Sequence, residues 1–123
     1  ENGRECTMAR IIRGKAFPTG RLSRFGYVEI SRREDAGPGT AADSWLAPGE
    51  KIRGHEFHYW DSTDNGSSCT AVKPDGKRSW NCIHAEKNLF AGFPHLYLPS
   101  CRKFAERFVG KCRNYQKTLP KGD

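Results

Sequence analysis

An α/β fold, rich in strands and closed by one long helix, is what this sequence predicts, and three observations carry the prediction. RFGYVEISR at 24–32 and KIRGHEFHYW at 51–60 combine aromatic and β-branched residues with the two-residue alternation of half-buried strands. CTAVKPDGKRSWNCI at 69–83 places Pro74-Asp75-Gly76 between two short extended arms, which is the turn chemistry of a hairpin. After Ser100 the apolar positions Cys101, Phe104, Ala105, Phe108, Val109, Cys112 and Tyr115 recur at the spacing of one helical face.

Taken in order, MARIIRGKAF at 8–17 is a short mixed apolar run that ends at the turn-forming Pro18-Thr19-Gly20. In the first strand Phe25, Tyr27 and Glu29 face one way and Gly26, Val28 and Ile30 the other. Residues 34–50, rich in Gly, Pro, Ala and Asp, form a loop anchored by Trp45. The next strand is expected from about Ile52 to Trp60, where the breaker-rich STDNGSS stops it. LFAGFPHLYL at 89–98 is extended, and Pro94 assigns it to a sheet edge or a bulge. Ser100 is the expected N-cap of the last helix, with Arg102, Lys103, Arg107, Lys111 and Arg113 on its outer side and residues 117–123 as a frayed tail.

The 123 residues leave room for one domain. Hydrophobic residues make up 36%, with 13 Gly and 7 Pro, so a modest core with many turns is expected. A net charge of +7 favours anionic partners without naming one. No apolar run is long enough to span a membrane and residues 1–20 lack the apolar centre of a signal peptide, so a cytoplasmic chain with no membrane partner is expected. Cys6, Cys69, Cys82, Cys101 and Cys112 are odd in number and contain no Cys-x-x-Cys pair, which predicts reduced thiols and no zinc site. The chain begins at Glu1, which suggests a processed product or a piece of something longer.

The segment at 51–62 gathers Arg53, His55, Glu56, His58 and Asp61 among aromatics. On a strand, Arg53, His55, Phe57 and Tyr59 share one side and Gly54, Glu56, His58 and Trp60 the other. His55 and His58 therefore diverge, and their spacing of three misses the spacing of four that a helical zinc pair needs, so no metal site is expected. Glu56 and His58 fall on one face, where a carboxylate can orient an imidazole or receive an ammonium group; the plain alternative is a strand with solvated charges. His95 interrupts an apolar run and is either a hydrogen-bonded core histidine or a base at a strand end. His84 reads as a loop residue. Cys101 and Cys112 read as small hydrophobes on the buried helical face, and Cys6, Cys69 and Cys82 lack the sharp strand-to-helix turn of a nucleophile elbow. Tyr27, Trp45, Trp60 and Trp80 on a basic chain could stack single-stranded nucleic acid, but the scattered Lys and Arg disfavour that role.

RGHEFHYWDS at 53–62 resembles the GHEFHYS signature of the cobyrinic acid a,c-diamide synthases, and NLFAGFPHLYLPSCRKFAERFV at 88–109 resembles their carboxyl-terminal segment. RLSRFGYVEI at 21–30 is similar to the strand that precedes the signature, so the resemblance spans about residues 8–113 in the family's order. It implies the second half of a class I glutamine amidotransferase domain. The implied reaction is ATP-dependent amidation of the a and c carboxylates of cobyrinate or hydrogenobyrinate, with ammonia taken from glutamine. A cysteine thiolate attacks the glutamine amide to form a thioester, and a histidine activates the thiol and protonates the departing ammonia. His95 matches that histidine, and His55, Glu56 and His58 match the signature and would line or support the pocket. Glu56 orienting His95 is one arrangement the resemblance admits.

Trp60 stands where the signature carries serine. The Gly-rich stretch bearing the family's nucleophile is not present, nor is a phosphate-binding loop, so the chain is expected to be a partial, inactive glutaminase portion that holds no cofactor of its own. ATP and Mg are implied for the missing synthetase domain. Glutamine and a corrinoid polycarboxylate are implied for the whole enzyme. For this chain, a missing upstream half-domain or self-association is the implied partner. The alternatives are a non-catalytic binding or regulatory module on the same scaffold, and a basic nucleic-acid-binding module.

Overall fold

The computed structural model describes residues 5–119. Its strands are β1 (Ala16–Pro18), β2 (Arg24–Arg32), β3 (Lys51–His58), β4 (Trp60–Ser62), β5 (Cys69–Val72), β6 (Ser79–Cys82), β7 (His84–Ala85), β8 (Phe90–Ala91) and β9 (His95–Leu96), followed by the helix α1 (Arg102–Thr118). The architecture is strand-rich with one carboxyl-terminal helix, as the sequence predicts. A five-stranded antiparallel sheet in the order β6-β5-β2-β3-β9 is flanked by the two-stranded ribbons β1-β4 and β7-β8.

The sheet is built on the long β2-β3 pair, whose register runs from Arg24 opposite His58 to Ser31 opposite Lys51. Alternation puts Val28 and Ile30 of β2 and Ile52 of β3 on one buried face, where Cys69, Ala71 and Cys82 of the β5-β6 hairpin join them. The hairpin closes as its turn residues require: Pro74 takes the first central position and the Gly76 N–H donates to the Lys73 carbonyl at 2.8 Å.

The 34–50 segment holds two short 3-10 turns and is anchored by Trp45, 3% exposed, whose indole N–H donates to the Glu86 carbonyl at 2.6 Å. Trp45 packs against Phe90, Phe104 and Phe108, and through this aromatic group α1 joins the core.

Several sequence expectations need correction. β3 ends at His58 rather than Trp60, because the chain breaks at Tyr59 and Trp60 pairs with Pro18 in the β1-β4 ribbon. Pro18 thus belongs to a strand end, and its missing N–H is tolerated there. His84 lies in the short strand β7, not a loop, with Nε2 3.5 Å from Asp64 Oδ1.

Ser100 does not cap α1. It sits in a 3-10 turn over Leu98–Ser100, its hydroxyl donates to the Tyr97 carbonyl and accepts the Arg53 N–H, and Cys101 takes the cap position. The face expected to be buried is covered only near its start: Phe104 is 2% exposed, whereas Phe108, Val109 and Tyr115 are exposed and so is Cys112. Lys117 and Thr118 are still helical, and the rest of the expected tail, from 120 onward, lies outside the described residues. Pro94 is as expected: the strand that follows it, β9, is the sheet edge.

Candidate functional site

The period of two along β3 separates the signature side chains into two groups on opposite faces of the sheet. Ile52, Gly54 and Glu56 are buried, and Lys51, Arg53 and Phe57 are exposed. Glu56 and His58 therefore share the inner face, and His55 faces out.

Glu56 is 1% exposed, an unusual position for a carboxylate. Its Oε1 accepts the Trp80 indole N–H at 3.4 Å, and its Oε2 lies 3.7 Å from both Arg24 Nε and His58 Nε2. Arg24 is held from a second side, with its guanidinium 4.4 Å from the centre of the Trp80 ring. The His58 ring stacks on Phe93 at 4.1 Å, and its Nδ1 lies 2.6 Å from the Trp60 carbonyl. A carbonyl can only accept, so Nδ1 carries the proton and Nε2 is the atom turned to Glu56. Glu56 Oε2 and His58 Nε2 make no hydrogen bond among the described residues. The carboxylate therefore compensates a nearby cation in a dry setting, with the His58 imidazole beside it.

On the outer face His95 of β9 stands directly opposite His55, so the two imidazoles are cross-strand neighbours. His95 is exposed. His55 makes edge contacts with Phe25 at 6.0 Å and Tyr27 at 5.6 Å, and Phe25 and Phe57 meet at 5.8 Å. This aromatic face is open: Phe25 is 59% exposed, Tyr27 74% and Phe57 51%. Because Leu96 rather than His95 shares a face with Gly54, the register puts Glu56 and His95 on opposite sides of the sheet. Glu56 does not orient His95, and His55 is the signature residue beside it.

All five cysteines are free. Cys69 and Cys82 oppose each other across the β5-β6 hairpin in the core, and burial pushes each thiol up to about 12, which makes them poor nucleophiles at neutral pH. Among the described residues no three His, Cys, Asp or Glu side chains come close enough to hold a metal ion, and no helix is long and apolar enough to cross a membrane.

Arg24, Trp80 and Phe93 were not singled out as partners of Glu56 and His58 by sequence reasoning. Arg24 reaches them because β2 pairs it with His58, and Trp80 because β6 comes in beside β5 and β2. No local spacing encodes either contact; the one available signal is the hairpin, which carries Trp80 on one arm.

Six curated proteins, all named cobyrinate a,c-diamide synthase, match this chain. The one from Fusobacterium nucleatum is 40% identical over 88 residues, which is 69% of this chain and 17% of the relative. That from Caldanaerobacter subterraneus is 29% identical over 115 residues, 92% of this chain and 24% of the relative. The Salmonella typhimurium protein is 33% identical over 111 residues, 86% of this chain and 22% of the relative. No family model matches the chain, and no solved structure matches it significantly. The chain thus spans about a fifth of the length of the curated relatives it matches, from 17% to 24% in these three. Over most of its own length it is a sequence of the cobyrinate a,c-diamide synthase family.

Proposed function

We propose that the chain is the carboxyl-terminal part of the glutaminase domain of an ATP-dependent amidoligase that amidates the a and c carboxylates of cobyrinate in cobalamin biosynthesis. The observation that carries this reading is the match, over as much as 92% of the chain, to proteins named for that reaction. The exposed position of His95 on an edge strand supports it, since a general base must be open to its substrate. In this role His95 takes the proton of a cysteine thiol supplied by the upstream part of the domain. The thiolate attacks the glutamine side-chain amide, the carbon–nitrogen bond breaks, ammonia leaves with a proton returned by His95, and a thioester remains for water to cleave. His55, directly across the strand pair, borders the same surface. ATP and Mg belong, on this reading, to the synthetase region outside these 123 residues.

The uncovered aromatic face and the bare outer half of α1 support a partner in the remainder of the longer polypeptide, since Phe25, Tyr27, Phe57, Phe108 and Tyr115 together leave a large apolar area in water. A second reading, a non-catalytic binding module on the same scaffold, is favoured by the distance in chain and face between His95 and the buried polar group around Glu56.

The test is glutamine hydrolysis by this chain mixed with a separately expressed upstream remainder, comparing the native chain with His95→Ala. The proposal expects ammonia release in the native mixture and a drop of at least about a hundredfold in the variant. Equal activity in both mixtures removes His95 from the chemistry. A correctly assembled native mixture with no activity favours the binding module.

A further inference from the structure

The geometry points to a binding site for a small, multiply charged anion, carrying carboxylate or phosphate groups, in the concavity between the start of β2 and the β5-β6 turn. The concavity measures about 630 Å³ and is walled by Arg24, Lys73, Lys77 and Arg78 with Trp80 and Ser79, and no acidic side chain lines it. A second hollow of about 640 Å³ shares Leu22, Ser23 and Arg24 with it and adds Arg21. It also holds one carboxylate, Asp61, whose Oδ1 accepts the Asn65 side-chain amide and the Ser62 N–H, both at 2.8 Å, and whose negative charge sets this second hollow apart from the first.

Two of the four cations, Arg24 and Lys73, are held in place. Arg24 is fixed between the buried Glu56 carboxylate and the Trp80 ring, so its guanidinium needs no further ordering to meet a ligand. Lys73 lies across β2 with its ammonium donating to the carbonyls of Phe25 and Tyr27. Gly26, at φ +96°, makes room for it, since a Cβ there would stand 3.2 Å from Lys73 Nζ. Carbonyl dipoles fix that ammonium without cancelling its charge.

Lys77 and Arg78 extend from the exposed turn and, among the described residues, no carboxylate lies within ion-pair distance of Lys73, Lys77 or Arg78. Asp75 in the same turn accepts the backbone N–H of Lys77 at 3.1 Å. Glu56 compensates Arg24 from behind, so Arg24 offers positioned N–H donors and the uncompensated charge is that of Lys73, Lys77 and Arg78. Cations gathered around a concave wall focus the field into the hollow, and an anion with several charged groups can meet more than one of them at once. This assigns Glu56 of the signature a second task, holding Arg24 in place at the anion site. The site stands on these contacts alone and does not depend on the amidoligase reading.

Citrate and inorganic pyrophosphate are the probes, titrated separately into the full chain while backbone amide NMR shifts are followed. The site predicts saturable shifts confined to residues 22–25 and 73–80 with both anions. Tighter binding of citrate identifies a polycarboxylate ligand, and tighter binding of pyrophosphate a phosphate ligand. The double variant Lys77→Gln/Arg78→Gln, at exposed turn positions where folding is not at stake, weakens binding about tenfold or more. Arg113→Gln/Lys117→Gln, the same change of charge on α1, alters it less than about twofold. Equal weakening in the two variants, shifts spread over α1, or no shifts at millimolar anion overturns the site. A single-stranded oligonucleotide that binds far more tightly than either probe and shifts residues well beyond the hollow overturns it in favour of a nucleic-acid surface.

Discussion

The two faces of the five-stranded sheet are made from the same strands and have opposite characters. On the inner face Ile30 and Ile52 are fully buried, and even the one carboxylate, Glu56, is shut away with Arg24, Trp80 and His58 around it. On the outer face Phe25, Tyr27 and Phe57 are more than half exposed, and the exposed His95 stands beside the half-buried His55. One strand, β3, supplies both. Its alternation sends Ile52 and Glu56 into the packed layer, Phe57 into water and His55 to a half-buried place on the outer face. Folding and candidate chemistry are thus divided by face: the inner side holds the molecule together, and the outer side leaves Phe25, Tyr27 and Phe57 uncovered around the two histidines.

A pair of truncations on β3 tests this division between the faces most severely. Ile52→Ala removes a fully buried side chain and is expected to cost about 3 kcal/mol, measured by urea denaturation. Phe57→Ala, at a side chain 51% exposed, should cost about 1 kcal/mol or less although it removes more atoms. The same Phe57 variant should reduce self-association, read by analytical ultracentrifugation. Equal costs would mean that the outer face is packed in solution as well.

Much of this division was legible in the sequence, because it rests on period-two alternation. Val28 and Ile30 opposed to Phe25 and Tyr27, Trp45 as an anchor, the turn at Pro74 and the edge position of Pro94 all follow from local pattern. What was hidden depended on register and tertiary contact. Arg24 meets Glu56 only through the pairing of β2 with β3, and the N-cap preference of Ser100 was overridden by its hydrogen bonds to Arg53 and Tyr97. The bare outer half of α1 could not be read from periodicity, which reports that a helix has an apolar face but not what covers it. Ile83 is a further case: a buried β-branched residue at φ 68°, a conformation that no local propensity would assign to it.

A smaller effect is expected where the two faces are coupled. Gly54 faces inward beneath the edge strand, and a Cβ there would stand 2.9 Å from the His95 carbonyl and 3.3 Å from Ile30 Cδ1. A backbone oxygen cannot swing away as a side chain can, so Gly54→Ala must push β9 from β3 or displace Ile30. The expected cost is about 2 kcal/mol. Hydrogen exchange should show faster opening of the Tyr97 amide, which donates to the Arg53 carbonyl at 2.8 Å. The inner glycine of the signature thereby sets the position of His95 on the outer side. Unchanged exchange at Tyr97 would show that β9 absorbs the methyl group and that the faces are independent.

The smallest effect concerns how firmly α1 covers the inner face. Glu50, at the end of the 34–50 loop, accepts a hydrogen bond from Arg107 Nη2 at 3.1 Å and another from the Ala47 N–H at 2.9 Å. The Arg107 guanidinium, aided by the Ala47 N–H, holds the Glu50 carboxyl below its ordinary value of 4.5 despite an opposing contribution from burial. A carboxyl whose folded pKa is depressed adds stability that is complete above its unfolded value and disappears as pH falls through the folded one. The native chain should therefore lose this contribution progressively below about pH 4.5. Glu50→Gln should be less stable by about 1 kcal/mol at pH 7, a modest figure because the pair is partly screened by water. The gap between native and variant should then close on acidification, while carboxylates such as Asp61, held low chiefly by the hydrogen bond from Asn65, titrate alike in both. A gap that stays constant through that window would mean that α1 is held by Phe104 and Phe108 against Trp45 and Phe90 and by Lys111, and that the ion pair only decorates the edge of the inner face.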